Sequence, residues 1–165
     1  MEITEKELED LIFNTNNENL QERGLEIYGK KKRQLIIGNY GKLDLMTSYR
    51  GEEGCCKNDP LIITIMELKK NAIGVNTLNQ IIRYAQGIKD YMAIRNFNNY
   101  MIKLTLIGSA IELNNELFTY LPNLIQPSMK SLTNIFSIDY YVYKIDWDGI
   151  YFEKHKGYSL INKGF

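Results

Sequence analysis

The chain has 165 residues, 44% hydrophobic and 24% charged, with twenty basic side chains balancing twenty acidic ones. That length and hydrophobic content suit a single domain over 1–165 with a substantial core, and the zero net charge excludes a protein that coats nucleic acid through bulk electrostatics, so any contact with DNA must be local. The single histidine, His155, leaves little for a histidine metal cluster or a Ser-His-Asp triad, and the adjacent Cys55 and Cys56 fit neither a disulfide framework nor a zinc site.

The first element is a helix from Thr4. Thr4 can cap it, Glu7 can return the capping-box bond, and Ile3 can staple onto Leu8. It would bury Leu8, Leu11 and Ile12 and end in the Asn-rich stretch Asn14 to Asn19, whose side chains favour turns. Strand patterns follow at Leu25 to Tyr28, Arg33 to Ile37, Lys42 to Tyr49 and Leu61 to Lys69. Between the second and third lies the turn-prone Gly38-Asn39-Tyr40-Gly41, and Arg50 to Pro60 reads as a polar surface loop. From Val75 the apolar spacing becomes helical through Leu78, Ile81, Ile82, Ala85, Ile88 and Met92, predicting a crossover helix of about four turns and, with a strand at Met101 to Ile107, a βαβ unit. A shorter helix over Ile111 to Leu121, a loop over Asn123 to Ser131, a strand over Ile138 to Ile145, and a hairpin turn at Asp148-Gly149 before Ile150-Tyr151-Phe152 complete the reading. Trp147 and Tyr158 are expected in aromatic packing. Neither a repeat nor a domain linker is visible.

The chemistry lies in the middle of the chain. In Leu61 to Lys69, period-2 alternation sends Glu67 and Lys69 out together on one face and turns Leu68 to the other. A hairpin can set Asp44 beside Glu67. Two carboxylates and an ammonium at this spacing suit a hydrolytic metal site, because magnesium takes few carboxylates and keeps much of its water. Asp44 and Glu67 would bind Mg2+ or Mn2+ directly, and the carbonyl of Leu68 could add an oxygen. The alternative is a solvated strand end. Gln80 and Tyr84, at i and i+4 on the crossover helix, suit hydrogen bonding and positioning better than proton transfer. The run Lys30-Lys31-Lys32-Arg33 is the best candidate for phosphate contacts without sequence specificity, its alternative being a solvated turn.

An acidic first helix over Thr4 to Leu11, Gly-x-x-Asp at Gly41 to Asp44, Glu-x-Lys at Glu67 to Lys69, and Gln-x-x-x-Tyr at Gln80 to Tyr84 stand in that order. In this the sequence resembles the PD-(D/E)xK nuclease superfamily, and more closely its RecB-like and NucS-type endonuclease domains. The resemblance spans roughly the first two thirds of the chain. Two departures are Leu43 where proline often precedes the aspartate, and no room for the additional domain of NucS-type proteins. The resemblance implies an α/β restriction-endonuclease-like core, a central mixed β-sheet flanked by helices. It further implies that Glu9 approaches the metal site and holds a second ion or a metal-bound water. Lys69 would orient or help deprotonate the attacking water, and Gln34, before the hairpin, would work on DNA.

The expected function is a metal-dependent deoxyribonuclease acting on DNA, as a possible homodimer. The alternatives are a catalytically retired nuclease fold that binds nucleic acid or protein, and an interaction protein with no nucleic-acid partner. No apolar run approaches the ~20 residues of a membrane span, and the acidic start Met1 to Glu5 is unlike a secretory signal. The expectation is a cytoplasmic protein with free thiols, and the abundance of Asn, Ile, Lys and Tyr suggests an AT-rich bacterium or its phage.

Overall fold

A computed structural model describes residues 2–51, 59–112 and 134–159. The described elements run α1 (Glu5–Asn14), α2 (Asn17–Glu22), β1 (Lys30–Ile36), a 3-10 turn (Gly38–Tyr40), β2 (Lys42–Tyr49), β3 (Leu61–Leu68), β4 (Ala72–Ile73), α3 (Val75–Ile94), β5 (Tyr100–Gly108), β6 (Ala110–Ile111), β7 (Ile135–Asp146) and β8 (Gly149–Ser159). Six strands form one mixed sheet in the order β1-β2-β3-β5-β7-β8. The three central strands β3, β5 and β7 are parallel, and antiparallel hairpin partners flank them on both sides. The short β4 and β6 pair separately, in parallel, just beyond the ends of β3 and β5. The fold is thus α/β with a central mixed sheet.

Each face of the sheet carries its own core. On one face α1, α2 and the segment leading to β1 bury Leu8, Ile12, Leu20, Leu25 and Ile27 against Leu45, Met66, Leu68, Ile107 and Tyr141. On the other, α3 lays Leu78, Ile81, Tyr84, Ala85 and Ile88 over Leu43, Ile63, Ile65, Leu104 and Leu106. Complete burial of a Leu or Ile stabilises by roughly 1.5–3 kcal/mol relative to exposure, so the two clusters fix which way β3 faces. β3 and β5, buried on both faces, read as near-continuous apolar runs for that reason.

Helix boundaries follow local chemistry. Thr4 accepts from the Glu7 amide and Glu7 accepts from the Thr4 amide at 2.8 Å, the expected capping box. Ile3 packs against the cluster that contains Leu8. α3 ends where Asn96 takes φ 54°, with its amide bonded to Ala93 O and that of Phe97 to Met92 O. A left-handed asparagine after the last helical residue recovers otherwise orphaned carbonyls.

Several expectations need correction. Leu25 to Tyr28 is not a strand: Leu25 and Ile27 are buried alternately as the pattern required, but the Ile27 carbonyl is taken by the Gln21 side chain rather than by a ladder. The Asn-rich stretch contains a helix start as well as a turn, because Asn16 caps α2 through the Asn19 amide. β1 begins at Lys30 and stops at Ile36, so the basic run is a strand and not a turn. α3 holds 20 residues, about five and a half turns rather than four. Ile111 belongs to β6 instead of starting a helix; residues 113–121 of that segment and the loop 123–131 lie outside the described residues, as do Cys55 and Cys56. β7 and β8 are both longer than expected, and Trp147, 92% exposed at their hairpin tip, packs in no core. Nothing is described of the Tyr158 side chain.

Gly41 and Tyr84 join the first strand pair to α3. Gly41 has φ +119°, and a Cβ there would stand 3.0 Å from Tyr84 Cε1. The Tyr84 hydroxyl donates to Lys42 O at 2.8 Å and receives the Gln80 amide at 2.8 Å. Gly41→Ala is therefore expected to cost more than about 1 kcal/mol through backbone strain and displacement of the ring, read as a lower midpoint in urea. An unchanged midpoint would mean that this junction tolerates a side chain.

Candidate active site at the carboxyl end of β3

Asp44 and Glu67 meet where the β2-β3 ladder stops. The last paired residues are Leu45 and Met66, and one step beyond them Asp44 Oδ2 accepts from the Leu68 amide at 2.9 Å. The carboxylate thus replaces a backbone carbonyl as partner to that N–H. Glu67 Oε1 accepts from Lys69 Nζ at 2.8 Å, an ion pair whose Glu67 side chain is only 2% exposed. Its second oxygen, Oε2, is buried without a hydrogen-bond partner. A buried carboxylate oxygen left in that condition is costly.

The electrostatics express the same strain. Burial, then the neighbouring Asp44, pushes the Glu67 carboxyl up to about 7, against the opposing pull of Lys69. Burial also raises Asp44, helped by Glu9 and Glu5, while the Leu68 amide and Lys69 act in the opposite sense. For Lys69, burial works against the ammonium, but the bond to Glu67 and the charges of Glu67, Glu5 and Asp44 outweigh it and hold the amine above its ordinary range. Near neutral pH Lys69 is charged, and Glu67 lies within reach of both protonation states. Displaced titrations cluster at functional sites, though structural ion pairs produce them as well.

α1 closes the site from above. Glu5, Lys6, Glu9 and Asp10 of α1, Arg33 and Gln34 of β1, and Asp44 line a hollow of ≈ 510 Å³. Glu9 is buried to 8% exposure and accepts a hydrogen bond from the Gln34 amide group. Gln34 adopts φ 54°, and it is the one β1 residue between Lys30 and Ile36 that does not pair with β2, its opposite number being Asp44. The alternation of β2 breaks at the same level: Leu43 packs on the α3 side and Leu45 on the α1 side, yet Asp44 lines the α1 hollow together with Gln34. A left-handed non-glycine residue costs on the order of 1–3 kcal/mol and is commonest at sites where strain serves a purpose.

The expected residues divide into three groups. Asp44, Glu67, Lys69, Glu9 and Gln34 come together, and the Leu68 side chain is buried in the core as its alternation required. Gln80 donates to the Tyr84 hydroxyl, which in turn donates to Lys42 O, two residues before Asp44, so the pair braces the strand that carries the aspartate. The basic run is split by the pleat. Lys31 Nζ donates to Ile12 O at 2.9 Å and to Thr15 O, satisfying the C-terminal carbonyls of α1, while Arg33 pairs with Asp10 and lies over the Phe13 ring. Only Lys30 and Lys32 remain exposed without such engagements, so the run is not a patch of four free cations. Glu5, which sequence did not single out, acts on both Asp44 and Glu67; its position one turn before Glu9 was the available signal. Among the described residues, no three His, Cys, Asp or Glu side chains stand close enough together to hold a metal ion, so Asp44 and Glu67 form a pair rather than a triad. No described helix is long and apolar enough to cross a membrane.

Compared with protein-family models, with curated proteins and with solved structures, the chain matches none.

The Glu67 titration makes stability depend on pH in a defined direction. With its folded pKa raised to about 7 from 4.5, the folded protein holds a proton between these values that the unfolded chain has lost. Its contribution therefore favours folding below about 4.5 and declines as pH rises through 7. In metal-free buffer Glu67→Gln is expected to raise the melting temperature at pH 8, by an amount corresponding to at most about 3 kcal/mol, and to change it little at pH 5. A lower melting temperature at pH 8 would show that the ionised carboxylate stabilises the fold through Lys69.

Proposed function

We propose that the chain is a divalent-metal-dependent deoxyribonuclease of the PD-(D/E)xK type, hydrolysing DNA phosphodiester bonds. The observation that carries this reading is the unpartnered Glu67 Oε2, buried beside Asp44 at the end of a core strand. A hard cation supplies what that oxygen lacks, since magnesium takes one or two carboxylates and fills its remaining positions with water or substrate oxygen. Asp44, Glu67 and the Leu68 carbonyl would hold Mg2+ or Mn2+, and so the donor set fits the ion. The succession of α1, antiparallel β1-β2-β3 and the β3-α3-β5 crossover, with Asp44 on the second strand and Glu67 ending the third, supports a restriction-endonuclease-like core.

A bound divalent ion supplies Lewis-acid stabilisation of the phosphoryl oxygens and lowers the pKa of water. The side chains do the rest. Lys69, charged and anchored by Glu67 at 2.8 Å, donates to the attacking water or to the charge that develops on the phosphate. Glu9, held by Gln34, offers an acceptor at the rim of the same hollow. Gln80 and Tyr84 keep β2 in place from below, so that Asp44 stays within reach of the Leu68 amide.

The second reading, a retired nuclease fold that binds without cutting, draws support from the lack of a third convergent carboxylate among the described residues. A panel of labelled single-stranded, duplex and branched DNAs, incubated with Mg2+ or Mn2+, separates the two. Cleavage is expected from the wild type, and Asp44→Asn, Glu67→Gln and Lys69→Ala are each expected to lose at least about 100-fold in single-turnover rate. Binding of DNA with no metal-dependent cutting of any substrate would favour the retired fold.

A further inference from the structure

A second polar hollow, of ≈ 320 Å³, is lined by Glu2, Ile3, Lys70, Asn71, Ser109, Tyr143 and Ile145. It lies outside the carboxyl ends of β3, β5 and β7, the edge at which open α/β sheets gather ligands. Resting on the nuclease reading, we infer that Lys70, Asn71 and Ser109 form a subsite for a backbone phosphate of the strand being cut, adjacent to the scissile bond.

The backbone there is held unusually firmly for a surface turn. Lys69 donates its amide to Ile107 O at 2.8 Å and Ser109 donates its amide to Asn71 O at 3.1 Å, and these two bonds tie the exits of β3 and β5 together. The Tyr143 hydroxyl, reaching across from β7, donates to Lys70 O at 2.8 Å. Gly108 permits the close approach, since a Cβ at that position would meet Asn71 O and Ile73 Cγ1, each at 2.8 Å. A side-chain ammonium, an amide and a hydroxyl are thereby presented on a fixed frame. Phosphate recognition needs such donors.

The hollow also contains its own competitor. Lys70 Nζ is paired with Glu2 Oε2 at 2.9 Å, and the Glu2 side chain is 85% exposed. An exposed pair of this kind contributes little to stability, so a phosphate can displace the carboxylate cheaply. Glu5, which lines the first hollow, accepts from the Lys70 amide at 3.2 Å. The first turn of α1 therefore stands between the two hollows, and a strand crossing Lys69 passes from Arg33 and Gln34 on one side to Lys70 and Ser109 on the other.

The test measures binding of a fluorescent oligonucleotide to the full chain in Ca2+, across a salt series, for Lys70→Gln, Glu2→Gln, the double variant, and Glu153→Gln. The last frees Lys144 from an equivalent surface pair on β7 and β8 and controls for net charge. Lys70→Gln is expected to flatten the log-log salt slope by about 0.7 on single strands or about 0.9 on duplex. Glu2→Gln is expected to tighten binding, the double variant to bind as weakly as Lys70→Gln, and Glu153→Gln to bind as the wild type does. An unchanged slope in Lys70→Gln, or a gain from Glu2→Gln that survives in the double variant, overturns the subsite. Inorganic phosphate titrated alone is expected to bind weakly; Lys70-dependent affinity equal to that of the strand would make this an ion site and overturn the proposal. Failure of the nuclease reading looks different: a wild type that binds the strand through Lys70 but never cuts it loses the reaction and keeps the subsite. A wild type that binds no DNA loses both.

Discussion

Everything at the site depends on one buried carboxyl group. Glu67 is the penultimate residue of β3 and follows four buried residues, Ile63 to Met66, so its side chain leaves the core without reaching water. One oxygen holds Lys69 and the other holds nothing. Asp44 is brought alongside by the β2-β3 register; burial raises the proton affinity of both acids, and the Asp44 charge raises that of Glu67 further. A fold built only for stability would place an apolar residue at 67, because a partly satisfied buried ion pair is commonly worse than well-packed hydrophobic side chains. On the proposed reading, a divalent cation would complete the arrangement.

The strain extends to the neighbouring strand. Gln34 leaves the β1-β2 ladder opposite Asp44 and adopts a left-handed conformation, and its amide group reaches Glu9 on α1. The break leaves Gln34 and Asp44 on the same hollow and sends Leu43 and Leu45, which a regular pleat would keep together, to opposite faces of the sheet. Lys31 and Arg33 serve this geometry from the same strand, one closing the C-terminus of α1 and the other pairing with Asp10. α1 is thus tied to the edge strand along its length, and Glu5 and Glu9 are delivered to the acids below. Their cost is electrostatic repulsion, and their service is a concentrated negative field at the point where a divalent ion would bind.

The elements that carry the site were legible because their signals are local. The capping box at Thr4 and Glu7, the apolar run ending in Glu67 and the helical spacing from Val75 each report a physical requirement of a few adjacent residues. The helix period also placed Gln80 and Tyr84 on one face, where they bond. What sequence could not reveal was partnership. The run Lys30 to Arg33 looked like free charge, yet its alternate members are committed to α1 by contacts sixteen or more residues away in sequence. Leu25 to Tyr28 had the burial pattern of a strand but joins no ladder among the described residues, since alternation reports faces and not ladders. The left-handed Gln34 carries no local mark either: an Asn or Gly would announce the conformation, whereas a glutamine there is explained only by Glu9.

Proton release on metal binding probes the central point most directly. Calorimetric titration of Mn2+ into the wild type, repeated in buffers of different ionisation enthalpy, counts the protons displaced per ion. With the Glu67 carboxyl near 7, about 0.9 proton is expected per ion at pH 6, about half a proton at pH 7 and close to none at pH 9, and Glu67→Gln should abolish the pH-dependent release. Binding without proton release at pH 6, or no binding at all, would contradict the assignment of Glu67 as a buried carboxyl group completed by a cation.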